Sequence, residues 1–230
     1  MDGLTVSRVA IERTVRLVST ARLREAVLLD LVDPDELDAL AEIEGATSNR
    51  LLAQDRGAGD VDRHEMVFGV SHANFINAAF AYARPGSPNR FNGTDRGAWY
   101  AGFEPETSLA EVRHHLTAFL AATGVYQATV DYAELLASFA GEYVDLRPNP
   151  DHPALAPEPA AGYPAGNALA NATRASGYYG IIYPSVRNPG GTCIVALVPH
   201  AVQSVVQGDI YRMQWRGQPE PSITRIDALI

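Results

Sequence analysis

The basic side chains of this sequence are chemically uniform. All 18 of its basic residues are arginine, and it contains no lysine. This composition excludes reactions that depend on a lysine, such as Schiff-base formation or phosphoryl transfer with a phosphate-loop lysine. A guanidinium group is planar and permanently charged, and it binds phosphate or carboxylate through two parallel hydrogen bonds. The basic residues are therefore suited to recognising an anionic ligand.

Several familiar catalytic patterns are incomplete. The glycine pattern that starts at Gly57 lacks the third glycine of a dinucleotide-binding turn, so a Rossmann fold is not supported. His64-Glu65 starts a zinc-protease pattern, but Phe68 stands where its second histidine belongs. Ser185 lacks the flanking glycines of a hydrolase nucleophile elbow. We therefore expect neither a metal site nor a serine hydrolase.

Length, charge and cysteine content indicate an ordinary globular chain. The 230 residues are 47% hydrophobic and carry a net charge of −9, which disfavours direct nucleic-acid binding because that binding needs surplus cations. The single cysteine, Cys193, cannot form an internal disulfide, and inside an apolar strand it is expected to be a small buried hydrophobe. No signal sequence or membrane-spanning stretch is apparent. We therefore expect a cytoplasmic protein that does not bind membranes.

The apolar spacing predicts an α+β fold in a single domain. The expected helices cover residues 33–45, 71–82, 108–122, 132–139 and 167–176. The expected strands cover residues 98–101, 180–183 and 192–198, with residues 201–215 forming strand in pieces. Residues 148–164 contain six prolines and are expected to be an extended connection. A type II turn is expected at Asn188-Pro189-Gly190-Gly191.

Four motifs remain, and their order along the chain is informative. They are Arg90-Phe91-Asn92, Trp99-Tyr100-Ala101, Leu109-Ala110-Glu111-Val112 and the run from Tyr183 to Gly191. This set resembles the RES domain family, which is named for its Arg, Glu and Ser and supplies the toxin of bacterial toxin–antitoxin pairs. The match runs from about Arg90 to Trp215, and residues 1–83 look like the N-terminal part of the longer, ParT-like members. We expect this N-terminal segment to pack on a catalytic core of residues 84–230.

The resemblance implies a substrate and a fold. Family members cleave NAD at the nicotinamide–ribose bond and pass ADP-ribose to phosphate, to water or to a protein side chain. Their fold is similar to that of bacterial ADP-ribosyltransferase toxins. NAD is then the substrate, without a metal, and the partner is a helical, Xre-like antitoxin encoded alongside the toxin.

The resemblance also assigns roles to residues of this chain. Arg90 is placed on the pyrophosphate of NAD, and Tyr100 on the nicotinamide or its ribose. Glu111 is placed at the ribose, although from the sequence alone it could instead close a capping box with Ser108. Ser185 is expected to position NAD by hydrogen bonding, not by nucleophilic attack.

Further residues are weaker candidates for the same site. Arg50 is a second candidate for the pyrophosphate, and Arg16 has less support in that role. Asn188 and Arg187 stand beside Ser185 and could line the site or be structural. His115 lies one helical turn after Glu111, and a packed or solvated role is the simpler interpretation.

Two rivals to this function stay open at the level of sequence. The acceptor of ADP-ribose could be a defined protein target, and no residue of the sequence discriminates among protein, phosphate and water. Alternatively, the chain could be a catalytically silent binding module that uses the same fold to hold an antitoxin or another partner.

Overall fold

The computed structural model describes residues 3–21, 61–81 and 88–226. One mixed sheet holds the strands β1 (Thr5–Ser19), β2 (Trp99–Gly102), β3 (Gln127–Asp145), β4 (Gly180–Pro184), β5 (Thr192–Ala196), β6 (Gln203–Arg216) and β7 (Ser222–Ile226). The helices within these ranges are α1 (Ala73–Ala81), α2 (Pro105–Thr123) and α3 (Pro159–Ala175). Short 3-10 turns cover Arg63–Glu65, Pro153–Leu155 and Pro199–Ala201. This mixture confirms the α+β prediction.

The long strand β3 organises the sheet. Strand β1 pairs antiparallel along one edge of β3, from Thr5 opposite Asp145 to Ser19 opposite Tyr132. The other edge of β3 pairs with β6 over its first part and with the parallel strand β4 at its end. Strand β1 also pairs with β2 at Val15 and Gly102. Strand β2 pairs with β5, and β5 pairs with β4. Five strands therefore close into a ring in the order β1-β2-β5-β4-β3.

The helix predicted at residues 132–139 is wrong, because these residues lie in the middle of β3. Ala133, Leu135, Ala137 and Phe139 are all buried and alternate along the strand, which is the period of a sheet face. A short apolar run is ambiguous between helix and strand, and here hydrogen bonding to β1 and β6 on both edges selects the strand.

The extended connection predicted at residues 148–164 is wrong in its last part, because α3 begins at Pro159. Pro159 occupies the first helical turn, where a backbone N–H has no partner within the helix, so a proline is tolerated there. Pro164 lies inside the helix and is exposed. The helix therefore starts eight residues before the predicted range of 167–176, and it ends at Ala175.

The other predicted elements are confirmed with shifted ends where the structure describes them. Helices α1 and α2 and strands β2, β4 and β5 lie in the expected places. The predicted pieces in residues 201–215 form the continuous strand β6, whose pairing with β3 contains two register shifts. Strands β1 and β7 were not predicted. The helix expected at residues 33–45 lies outside the described residues.

Helix α1 packs against the core through Ile76 and Phe80, and helix α2 covers Met213 and Trp215 of β6. None of the helices in the described ranges is both long and apolar enough to cross a bilayer.

Candidate active site

A cavity of about 570 Å³ opens between the strand ring and the helices α2 and α3. Its wall contains Arg16 from β1, Tyr100 from β2, Glu111 from α2, Tyr183 from β4 and Tyr163 from α3. The cavity is thus assembled from segments that are far apart in the sequence.

Helix α2 starts three residues earlier than predicted, so the capping box that the sequence also allowed does not form. Glu104 is the N-cap residue and Pro105 takes the first helical position. The hydroxyl of Ser108 is buried one turn inside, where it accepts a hydrogen bond from the Gly102 N–H at 2.9 Å and donates to the Val15 carbonyl at 2.6 Å. Ser108 therefore fastens α2 to β1 and β2. Glu111 is left free of any capping role.

The Glu111 carboxylate lies in the cavity wall and is held by a serine. The Ser185 hydroxyl donates to Oε1 of Glu111 at 2.8 Å, so residues 74 positions apart meet. The other oxygen, Oε2, has no hydrogen-bond partner among the residues that the structure describes. One oxygen thus fixes the orientation of the carboxylate, and the other is available to a ligand in the cavity.

Ser185 begins the turn between β4 and β5, and its hydroxyl also organises that turn. Its Oγ accepts hydrogen bonds from the backbone N–H groups of Arg187 at 3.2 Å and Asn188 at 3.0 Å. The expected type II turn is confirmed, because the Gly191 N–H bonds the Asn188 carbonyl at 2.9 Å and Gly190 has a φ of 85°.

The side chain of Asn188 fastens this turn to α2 instead of lining the cavity. Its Nδ2 donates to the Thr107 hydroxyl at 3.0 Å, one turn of α2 before Glu111. The turn and the helix that carry Ser185 and Glu111 are therefore held together by two separate hydrogen bonds. Asn188 acts on the site through Ser185.

Arg90 is buried in the cavity wall, only 9% exposed. Its Nη1 donates to the carbonyls of Ala154 at 2.6 Å and Ala156 at 2.8 Å, and its guanidinium lies 5.6 Å from the centre of the Tyr163 ring. Backbone carbonyls carry no net charge, so the guanidinium keeps its positive charge uncompensated by these contacts.

Two glycines let α3 approach Arg90 closely. A Cβ at Gly162 would lie 2.7 Å from Nη1 of Arg90, and a Cβ at Gly166 would collide with the Arg90 carbonyl. No larger side chain fits at either position without displacing the arginine or the helix. The proline-rich segment and α3 therefore position Arg90.

Tyr100 lines the cavity, and its hydroxyl is already engaged within the protein. It donates to Oδ1 of Asn92 at 2.8 Å and accepts from the Phe91 N–H at 3.0 Å. Burial raises the pKa of this hydroxyl, so it stays protonated as a donor. The hydroxyl thus fixes the segment that carries Arg90, while the ring faces the cavity.

The weaker candidates divide between the cavity and other places. Arg16, Arg187 and His115 line the cavity, and Arg16 also donates to the Tyr100 carbonyl at 3.4 Å. Cys193 lines it as a buried thiol, and burial raises its pKa to about 12, which keeps the thiolate form unpopulated at neutral pH. Arg50 lies outside the described residues.

His115 lines the cavity from α2. Desolvation by the cavity wall, and then the guanidinium groups of Arg187 and Arg90, lower the pKa of His115. The imidazole is therefore neutral at pH 7.

Two aromatic residues of the wall were not identified from the sequence, Tyr163 and Tyr183. Tyr163 lies in the segment that was expected to be irregular, so its position on a helix beside Arg90 could not be predicted from the sequence. Tyr183 begins the motif that contains Ser185, and its ring packs edge-on against Phe91 with 4.8 Å between the centroids. Membership of that motif was the one available signal for Tyr183.

These residues give the cavity a distinct chemistry. Among the described residues that line it are one carboxylate with a free oxygen, three guanidinium groups and three tyrosine rings. Such a site suits a ligand that has negative charge at one end and a flat or electron-poor group at the other.

Comparison with known proteins agrees with this arrangement of motifs. The family model described as "RES domain" matches residues 66–216, which include Arg90, Tyr100, Glu111 and Ser185. The chain is also similar to "Uncharacterized protein y4oC" of Sinorhizobium fredii (strain NBRC 101917 / NGR234). The two are 26% identical over 207 residues, which cover 88% of this chain and 82% of that protein. The chain belongs to the RES domain family.

Proposed function

We propose that this protein binds NAD in the cavity, cleaves the bond between nicotinamide and ribose, and transfers ADP-ribose to an acceptor. The observation that carries the proposal is the Glu111 carboxylate, which Ser185 orients through one oxygen at 2.8 Å while the other oxygen is available to a ligand. Cleavage of this bond develops positive charge on the ribose. A fixed carboxylate beside the ribose stabilises that charge in the transition state.

The remaining residues of the cavity supply binding and orientation in this proposal. Arg90 holds the pyrophosphate, and its buried position costs least when an anion compensates the charge. The Tyr100 ring contacts the nicotinamide end, while its hydroxyl keeps the segment of Arg90 in place. Ser185 holds Glu111 in its orientation through this hydrogen bond, and the proposal gives it no nucleophilic role.

The bond changes balance without a cofactor. The C–N bond between the nicotinamide-bearing ribose and nicotinamide breaks, and its electron pair leaves with nicotinamide as a neutral molecule. A lone pair of the acceptor oxygen or nitrogen forms the new bond to the same carbon, and the acceptor loses its proton to water. The acceptor is phosphate, water or a protein side chain.

The direct test is nicotinamide release from NAD by the purified chain. We expect release by the wild type and a loss of about 10²- to 10³-fold in kcat for Glu111→Gln, the range typical of removing one stabilising group from a charged transition state. Glu106→Gln is the matched control, because Glu106 is an exposed carboxylate on the same helix. Circular dichroism checks that all three proteins are folded.

The products identify the acceptor. Reactions with phosphate, without phosphate and with host lysate are compared by mass spectrometry for phosphorylated ADP-ribose, free ADP-ribose and modified protein. If the folded wild type releases no nicotinamide in any of these reactions, the enzymatic proposal fails and a catalytically silent binding module takes its place.

We also propose that the protein is the toxin of a toxin–antitoxin pair with a helical, Xre-like antitoxin. The family membership supports this role, and the net charge of −9 favours a basic contact surface on the antitoxin. We expect expression of the wild type to arrest growth of its host, expression of Glu111→Gln to be tolerated, and the antitoxin to relieve the arrest. Growth arrest by Glu111→Gln equal to that by the wild type would contradict a toxic NAD-cleaving activity.

A further inference from the structure

Two arginines that line the cavity have no carboxylate beside them in the described part of the chain. Five arginines in the described part of the chain form ion pairs with a carboxylate: Arg96, Arg113, Arg147, Arg212 and Arg225. Arg90 and Arg187 line the cavity, and neither has a carboxylate within 4.0 Å among the described residues. Arg90 is also buried, and a buried charge without a counter-ion is costly.

Both guanidinium groups are anchored on one short segment, residues 154–157. Arg90 donates to the carbonyls of Ala154 and Ala156, and Nη2 of Arg187 donates to the Pro157 carbonyl at 2.8 Å. Each guanidinium uses one terminal nitrogen for these bonds, so the other nitrogens of each group have no hydrogen-bond partner in the described ranges.

The nearby histidine also indicates positive potential on this wall. Desolvation, and then the guanidinium groups of Arg187 and Arg90, lower the pKa of His115. An anion with two charged centres would satisfy both arginines at once.

Arg187 is also tied to Glu111 through a single turn. The Arg187 N–H donates to the Ser185 hydroxyl at 3.2 Å, and that hydroxyl donates to Glu111. The cation and the carboxylate are therefore fixed relative to each other. In a nicotinamide dinucleotide one ribose separates the reacting carbon from the pyrophosphate, so its cleavage calls for a carboxylate and a phosphate-binding cation in the same cavity, and both Glu111 and Arg187 line it.

We propose that Arg187 completes, together with Arg90, a two-guanidinium subsite for a pyrophosphate, and that this subsite makes the cavity selective for dinucleotides over mononucleotides. The inference rests on the proposed function for the identity of the substrate, but the anion subsite itself is defined by the two arginines. Arg187 binds the phosphate next to the ribose that Glu111 contacts, and Arg90 binds the other phosphate.

Binding of inorganic pyrophosphate to the full chain tests the subsite without any turnover. Calorimetry is expected to show wild-type binding, at least tenfold weaker binding by Arg187→Gln, and unchanged binding by Arg113→Gln. Arg113 is the matched control, because it is a surface arginine on α2 whose partner is Glu220. Inorganic phosphate, which has one charged centre, is expected to bind more weakly and to lose less affinity in Arg187→Gln.

Arg187→Lys keeps the positive charge but lacks the paired N–H donors of a guanidinium group. This variant replaces Arg187→Gln in the test if circular dichroism shows that Arg187→Gln does not fold. Its pyrophosphate affinity is expected to lie between those of the wild type and Arg187→Gln. Equal pyrophosphate affinity in the wild type and in the folded Arg187 variants would overturn the subsite, as would failure of the wild type to bind pyrophosphate.

Kinetics separate the subsite from the proposed reaction. With NAD, Arg187→Gln is expected to raise KM about tenfold and to change kcat less than threefold. Nicotinamide mononucleotide keeps the phosphate assigned to Arg187 and lacks the one assigned to Arg90, so the wild type is expected to have a higher KM for it than for NAD, and Arg187→Gln is expected to raise that KM as well. If the wild type releases no nicotinamide but its pyrophosphate binding depends on Arg187, the proposed function fails and the subsite stands. If NAD is cleaved with a KM that Arg187→Gln leaves unchanged, the proposed function stands and the subsite fails.

Discussion

Two carboxylates of this protein each accept a hydrogen bond from a serine, yet their surroundings differ. Ser7 donates to Asp145 at 2.9 Å, and Ser185 donates to Glu111 at 2.8 Å. Asp145 also receives the Arg147 guanidinium through two bonds and the Arg147 backbone N–H at 3.0 Å. Asp145 is therefore saturated, whereas Glu111 retains one oxygen for a ligand.

The difference lies in where the arginines are. At the end of β3, Arg147 is two residues from Asp145 and neutralises it directly. In the cavity, Arg90 and Arg187 bind backbone carbonyls instead of Glu111, so carboxylate and cations remain separate in one space. A saturated carboxylate contributes to stability, and an unsaturated one in a cavity can contribute to binding and chemistry.

The largest expected effect on this comparison comes from Asp145→Asn. Because Asp145 is 4% exposed and loses its ion pair, we expect about 1–3 kcal/mol less free energy of unfolding, the cost of weakening a buried charged hydrogen-bond network. The kcat for nicotinamide release should be unchanged in the folded variant. Urea unfolding and turnover measured on the same preparation check both. A loss of kcat without a loss of stability would mean that Asp145 acts in the reaction, as proposed for Glu111, and not in stabilising the fold.

Tyr100→Phe is expected to lower stability by about 1–2 kcal/mol, because the buried Phe91 N–H loses its acceptor. The variant should also raise KM for NAD, since the hydroxyl fixes the segment of Arg90. Tyr178→Phe is the comparison, because Tyr178 lies outside the cavity wall. The role assigned to the hydroxyl is wrong if Tyr100→Phe changes neither stability nor KM.

Ser185→Ala is expected to lower kcat about tenfold, which corresponds to about 1.4 kcal/mol. The reason is that Glu111 loses the donor that orients it, while its charge remains. Ser7→Ala is the matched control, because it removes the corresponding donor from Asp145 and should leave kcat unchanged. Equal effects of the two serine variants on kcat would contradict the orienting role of Ser185.

The smallest effect concerns pH. Burial opposes ionisation of Asp145, but the bonds from Arg147 and Ser7 outweigh it and lower the pKa of this carboxyl. A carboxyl with a lowered pKa in the folded state stabilises the fold above its unfolded pKa of about 4, and that stabilisation is lost as pH falls through the folded value. The stability difference between wild type and Asp145→Asn should therefore be constant from pH 7 to pH 5 and shrink below about pH 4.

Unfolding curves at pH 7, 5, 4 and 3 test this sign. A stability difference that grows as the pH falls would mean that folding raises the pKa of Asp145 instead of lowering it.

Much of the architecture could be predicted where the local pattern is strong. The apolar stripe of α2, the turn at Asn188–Gly191 and the strands β4 and β5 follow from spacing and from glycine and proline positions. The four motifs also point to residues that the fold brings to one cavity. Strand β3 could not be predicted, because its middle has helical as well as alternating spacing, and pairing on both edges decides between them. The start of α3 could not be predicted, because Pro159 and Pro164 made this stretch look irregular.

The sequence by itself determined the chemical inventory: arginine as the only permanent cation, one cysteine, and an ordered set of arginine, tyrosine, glutamate and serine motifs. This information is local or compositional, so it does not depend on how the chain folds. Only the tertiary structure decided how the inventory is used. It brings Ser185 into contact with Glu111, 74 residues away in the sequence. It also directs the Tyr100 hydroxyl to the segment of Arg90, and it anchors the side chains of Arg90 and Arg187 on residues 154–157. These contacts depend on closure of the strand ring and on the packing of α3, which no short stretch of sequence encodes.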